Sequence, residues 1–178
     1  MVKPLITRNI PVDLLTTNHY IFGQIKVANT GLIGTLSDPN TSHLEILDAS
    51  ISRIVKPDKV VNYAPILWVV KQHLVAACLN KKEYVGSPTL LRGGYSHLTQ
   101  YPMQLATPNF EVQGTLEWSG RFEFSIIMGD GTSPFLVLYD AELSAPLFPA
   151  LQIKSPVILL NRNFVNLLSS VKKTGQES

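Results

Sequence analysis

With 178 residues, 45% of them hydrophobic and 16% charged, the chain is apolar enough to bury a core and too weakly charged to stay disordered. A net charge of +2 argues against duplex DNA as a partner, since that ligand demands many neutralised phosphates, but it is compatible with a local basic patch. The most apolar stretch, Ala64 to Leu79, is broken by Lys71, Gln72 and His73 and falls short of the roughly 20 apolar residues of a membrane span.

Met1 to Asp13 also lacks the apolar core of a signal peptide. The expectation is a cytoplasmic protein with no membrane partner. One cysteine, Cys78, excludes an internal disulfide. Its apolar neighbours Val75, Ala76, Ala77 and Leu79 suit a buried, inert thiol.

In chain order, His19 to Val27 alternates as a strand, with Ile21, Gly23, Ile25 and Val27 on one face. Leu44 to Ile51 alternates too. Pro65 then opens a β-rich run, Ile66 to Val70. The polar tripeptide Lys71-Gln72-His73 and the apolar run Leu74 to Leu79 follow, a pattern that reads as a hairpin. Asn80 to Gln100 has connector composition, including Gly93-Gly94. Beyond it, Leu136 to Leu143, Val157 to Leu160 and Phe164 to Leu168 read as strands, and Gly129-Asp130-Gly131 as a turn. Helical patterns are weak. Val60 to Val75 is the one candidate, and Pro65 and the β-branched residues oppose it.

These elements form two copies. Pro11, Leu14, Thr16, Asn18 and Gly23 recur at one constant offset as Pro102, Leu105, Thr107, Asn109 and Gly114, and Pro65 recurs as Pro156. Asp48-Ala49 recurs as Asp140-Ala141 after a one-residue slip. The expected organisation is a first repeat over 1–79, a connector over 80–101, and a second repeat over 102–178 ending in a short polar tail. Each copy is about five short antiparallel strands, and some 70 residues of that kind close into a small barrel because free edges invite aggregation. The fold class is therefore all-β, two tandem small antiparallel β-barrels, a pseudo-dimer.

The stretch Pro11-Val12 followed by Asn18-His19-Tyr20-Ile21-Phe22-Gly23-Gln24-Ile25 is similar to the first two strands of the Sm-like (Hfq/LSm-type) small-barrel family, with its bend glycine. Leu159 to Val165 resembles that family's turn between its last two strands, and Val69 to Val75 is the matching segment of copy one. The Arg-Gly pair of many members is absent from both turns. The segments offered for the third strand, Leu32 to Leu36 and Phe122 to Ile126, lack the family's Asp-x-apolar-x-Asn signature. Through Pro134 to Ala141, copy two resembles a small class of tandem-repeat bacterial proteins of unknown function. The resemblance implies an Sm-like fold and implies no activity.

Chemistry-bearing residues are sparse. His19, His43 and His73 exchange with Phe110, Phe135 and Phe164 between copies, which suits flat packing groups better than metal ligands. No cofactor or metal is expected, and no nucleophile or acid–base constellation points to an enzyme. Asp48 and Asp140 are read as structural carboxylates accepting backbone N–H bonds at a bend, and Gly23 and Gly114 as structural bend residues. The expected role is an oligomeric scaffold or binding module, with three chains completing a six-barrel ring as one option. The alternative, implied by the resemblance because the family's equivalent turn touches RNA, is single-stranded RNA binding through Lys71-Gln72-His73 and Arg162-Asn163, with Lys71 and Arg162 on phosphates and Gln72 or Asn163 on base edges. A third option is a small-molecule pocket between the barrels using Trp68, Trp118 or Tyr139.

Overall fold

Alternating apolar side chains draw Arg8–Leu15 (β1) and His19–Val27 (β2) into an antiparallel hairpin in the computed structural model, which describes residues 7–86, 97–129 and 133–171. Gly93-Gly94, Asp130-Gly131 and the tail 172–178 lie outside the described residues. The β1–β2 turn is tied by Thr16, whose Oγ1 accepts the His19 N–H at 3.0 Å. Thr107 does the same for the Phe110 N–H, also at 3.0 Å, between Thr99–Ala106 (β6) and Glu111–Trp118 (β7).

The remaining elements are helix α1 (Gly31–Ser37), His43–Arg53 (β3), Lys56–Val70 (β4), Ala76–Leu79 (β5), helix α2 (Phe124–Met128), Phe135–Ser144 (β8), Gln152–Asn161 (β9) and Leu167–Ser170 (β10). All ten strands join one open antiparallel sheet in the order β10-β6-β7-β8-β9-β5-β1-β2-β3-β4. The all-β class is thus what the structure has. The order β5-β1-β2-β3-β4 in the first half reappears as β10-β6-β7-β8-β9 in the second, and β5 joins the halves by pairing with β9.

Three expectations are corrected. Leu32 to Leu36 and most of Phe122 to Ile126, offered as third strands, are helical. In α1, Leu32, Ile33 and Leu36 share one buried face, a helical and not a strand spacing. Second, β4 and β5 are no hairpin. A 3-10 turn, Lys71–His73, redirects the chain, and β5 pairs with β1 and β9 while β4 pairs with β3 alone. Third, β6 begins at Thr99, inside the stretch read as connector.

One device explains several recurring residues together. Between Phe22↔Ser50 and Gln24↔Leu47, Gly23 faces two residues, Asp48 and Ala49. Asp48 takes a left-handed backbone at φ 49°, as Asp140 does at φ 46°, a conformation aspartate tolerates better than most residues. A Cβ on Gly23 would come within 2.5 Å of Ile46 Cγ2, and one on Gly114 within 2.8 Å of Ala141 Cβ. Across the other neighbouring strand, the skipped positions are Pro65 and Pro156, residues with no N–H to donate. Glycine, bulged aspartate and proline thus cross three adjacent strands as one β-bulge in each half. Asp48 and Asp140 are exposed. The left-handed backbone accounts for aspartate at both positions.

Two apolar clusters form, and each borrows from the other half. Phe135, Val137, Val157 and Leu159 pack in the first; Leu15, Ile54, Val75, Ala76 and Cys78 pack in the second. Alternate residues of β5, β8 and β9 therefore enter different clusters. Burial on both faces explains why Leu136 to Leu138 and Val157 to Leu160 are continuously apolar, whereas Leu44-Glu45-Ile46 alternates.

Candidate functional site

The turn residues expected to meet RNA are placed differently from one another. Lys71 is buried, and its Nζ donates to the Thr35 carbonyl at 2.6 Å, the Asp38 carbonyl at 3.1 Å and Thr41 Oγ1 at 2.6 Å. It thus caps the C-terminal end of α1, where carbonyls lack intrahelical donors and a cation is favoured. Burial pulls its pKa below the usual lysine value, partly opposed by the Asp38 carboxylate. Arg162 occupies the matching 3-10 turn, Arg162–Phe164, and its guanidinium donates to the Gly129 carbonyl just past α2. Both cations therefore serve helix ends. Gln72, His73 and Asn163 are exposed; Gln72 Nε2 lies 3.3 Å from His73 Nε2, and the Asn163 N–H donates to Asn161 Oδ1 at 3.1 Å.

The histidines are not packing groups throughout. His43 and His73 are exposed where Phe135 is buried and Phe164 half-buried, because the corresponding surfaces are covered in one half only. The aromatic candidates for a pocket do not share a cluster. Tyr139 packs on the first and Trp118 on the second, and Trp68 is 60% exposed on outermost β4. Cys78 is buried, and burial pushes its thiol pKa up, as does nearby Asp13. Asp13 faces Cys78 across β1–β5 and accepts the Tyr20 hydroxyl at 2.5 Å. Burial raises the Asp13 pKa, and the Tyr20 bond partly opposes the rise.

The most developed contact is the β5–β9 seam between the halves. Ala76 faces Leu160, Ala77 Leu159, Cys78 Ile158 and Leu79 Val157. Asn161 closes its end: the side chain donates to the Leu74 carbonyl at 2.9 Å, and the backbone N–H donates to the Val75 carbonyl at 2.9 Å. Ser155 Oγ donates to the Leu79 carbonyl at 2.7 Å, and Ser37 Oγ to Ser133 Oγ at 2.9 Å. Lys82 Nζ reaches Asp140 Oδ2 at 2.8 Å. Sequence reasoning missed Asn161, Ser155 and Lys82, whose partners lie in the other half of the chain. The unbroken apolar runs of β8 and β9 were the available signal.

The strands that correspond to the seam, β4 and β10, stand at the two ends of the sheet. Val157 to Leu160 are 0% exposed, whereas on β4 Ile66 is 45% and Trp68 60% exposed, and Leu167 on β10 is 69% exposed. In the second half, Phe124 and Ile126 of α2 are exposed; in the first, Leu32, Ile33 and Leu36 of α1 are buried in the cluster that holds Phe135 and Val137 of β8.

Comparison with family models, curated proteins and solved structures returned no match. Among the described residues, no helix is long and apolar enough to cross a membrane.

Proposed function

We propose that the protein is a non-enzymatic assembly scaffold made of two Sm-like small barrels fused edge to edge, and that it self-associates through its open sheet ends. One observation carries this reading: the chain buries a β5–β9 seam within itself, while among the described residues the counterparts of both strands, β10 and β4, stand uncovered at opposite ends. Uncovered edges with apolar side chains pair readily with another chain. A head-to-tail contact of this kind closes into a ring when its rotation permits, and three chains would give six barrels. His43 and Glu45 stand on β3 where Phe135 and Val137 stand on β8. An intermolecular seam is consequently more polar than the internal one, and its assembly is reversible.

Light scattering over a micromolar concentration series tests the reading. A concentration-dependent species of three chains is expected, with Trp68 fluorescence shifting to the blue as β4 is covered. Trp68→Asp, at an exposed position, is expected to leave a folded monomer. A wild-type chain that stays monomeric throughout the series refutes the scaffold. The RNA alternative relies on Gln72, His73 and Asn163, since Lys71 and Arg162 bond carbonyls within the chain. A mass shift on adding a short single-stranded RNA would favour it.

A further inference from the structure

The contact between the halves is more than a pair of strands. Helix α1 lies against β8 while β5 pairs with β9, so α1 and β5 form one surface and β8 and β9 the other. Leu32, Ile33 and Leu36 on the helix side and Phe135 and Val137 on the receiving side are buried in one cluster, on which Tyr139 also packs. Across this contact Ser37 Oγ lies 2.9 Å from Ser133 Oγ.

The repeat places a counterpart of each surface on the outside of the molecule. Helices α1 and α2 end at matching positions, Ser37 and Met128, and Leu36 matches Ile127, which is buried in its own half as Leu36 is in the first. In that register Ile33 corresponds to Phe124 and Leu32 to Glu123. Ile33 is 1% exposed, whereas Phe124 is 58% exposed. On the receiving side, His43, Glu45 and Leu47 of β3 hold the positions of Phe135, Val137 and Tyr139 of β8. With Lys26 and Thr35 they line an open cleft of about 500 Å³. The second half has its packed contact with α1 at the corresponding place.

We propose that α2 of one chain docks in the β3 cleft of a second copy, with Phe124 as the apolar anchor and Met128 beside Thr41. The inference rests on the scaffold reading and adds to it a second contact next to the paired strand edges. The occupant is a second copy because the internal contact is a template for both surfaces, and because the two depart from that template in a matched way. Glu123 stands where Leu32 does, and His43 and Glu45 stand where Phe135 and Val137 do. Helix and cleft are thus both polar around one retained apolar side chain, the composition of an interface between separately folded chains. The two surfaces are different patches of one molecule, so the contact runs head to tail.

That polarity supplies the experiment, in which sedimentation of full-length chains compares wild type, Phe124→Asp, His43→Glu and an equal mixture of the two variants. Both positions are exposed, and unchanged thermal melts confirm that the variants fold; Ile126→Asn is the second helix probe. Truncating or charging an interface anchor weakens binding about tenfold or more. Neither variant is therefore expected to assemble at concentrations where the wild type does. The mixture is expected to form a dimer and nothing larger, because one variant contributes an intact cleft and the other an intact helix. Mixing a Thr41→Cys chain with a Met128→Cys chain is expected to give an oxidative cross-link, since these positions correspond to Ser133 and Ser37; native Cys78 is buried.

Complementation in the mixture together with the cross-link supports the proposal. Folded variants that assemble as the wild type does overturn the helix contact while the scaffold reading stands. A mixture that stays monomeric, or a missing cross-link between chains that assemble, overturns the pairing of α2 with the β3 cleft. A monomeric wild type overturns both readings.

Discussion

Replacing Lys71 by methionine separates a structural cation from a ligand-binding one. The ammonium holds three acceptors, the Thr35 and Asp38 carbonyls and Thr41 Oγ1, at 2.6 to 3.1 Å. A hydrogen bond involving a charged group contributes about 1.5–3 kcal/mol, and a cation at a helix C-terminus about 0.3–2 kcal/mol. These contributions do not sum, because the ammonium gave up hydration on burial, as its lowered pKa records. Thr35 and Asp38 are only partly covered and Thr41 is exposed, so water replaces some of the lost bonds. The balance is a loss of about 2–3 kcal/mol for Lys71→Met. Gln72→Ala, one residue on and exposed, costs under about 0.5 kcal/mol. Urea unfolding followed by circular dichroism, at one protein concentration, gives both values from the midpoints at a common slope. If Lys71→Met unfolds within about 0.5 kcal/mol of the wild type, the ammonium does not hold α1 and the capping argument is wrong.

Three further outcomes are expected. Asp48→Ala costs about 1–2 kcal/mol because alanine resists the left-handed backbone, while Asp48→Gly is neutral or stabilising; thermal melts that rank alanine above glycine would refute the bulge account. Gly23→Ala costs about 1–3 kcal/mol and more than Gly114→Ala, since its methyl meets both Ile46 Cγ2 at 2.5 Å and the Leu47 carbonyl at 2.8 Å. The raised pKa of Asp13 means that the folded chain keeps this proton to higher pH than the unfolded chain, whose carboxyl titrates near 3.8. Its contribution to stability is therefore full below that value and falls as pH rises through the folded pKa. Melting-temperature differences between wild type and Asp13→Asn should narrow or reverse in that direction, and a pH-independent difference would contradict the burial argument.

The turn motifs and the strand alternation were local, and local features are legible. Thr16 and Thr107 tie their hairpins to residues three positions on, and Ile21, Ile25 and Val27 declare the buried face of β2 by period alone. The Gly23, Asp48 and Pro65 recurrence was visible too, but not as one bulge, because the three residues meet only when β2, β3 and β4 lie side by side. Leu32 to Leu36 and Phe122 to Ile126 were misread because a helix of 7 or 5 residues spans two turns or fewer, well short of the roughly 11 to 18 residues over which a helical period stands out.

Composition and periodicity by themselves determined that the chain is built from antiparallel strands, that its apolar positions recur in two series, and that Cys78 is buried. Tertiary structure decided the rest. Two apolar runs around Lys71–His73 look like a hairpin in one dimension, yet β5 leaves β4 for β1 and β9 because those strands pair with both of its edges while the two apolar clusters cover its two faces. A basic turn looks available for phosphate, yet Lys71 and Arg162 are turned inward by helix carbonyls that no sequence pattern announced. Which strands would remain uncovered was equally invisible. An edge is defined by the neighbour a strand lacks, and neighbours are a property of the folded sheet.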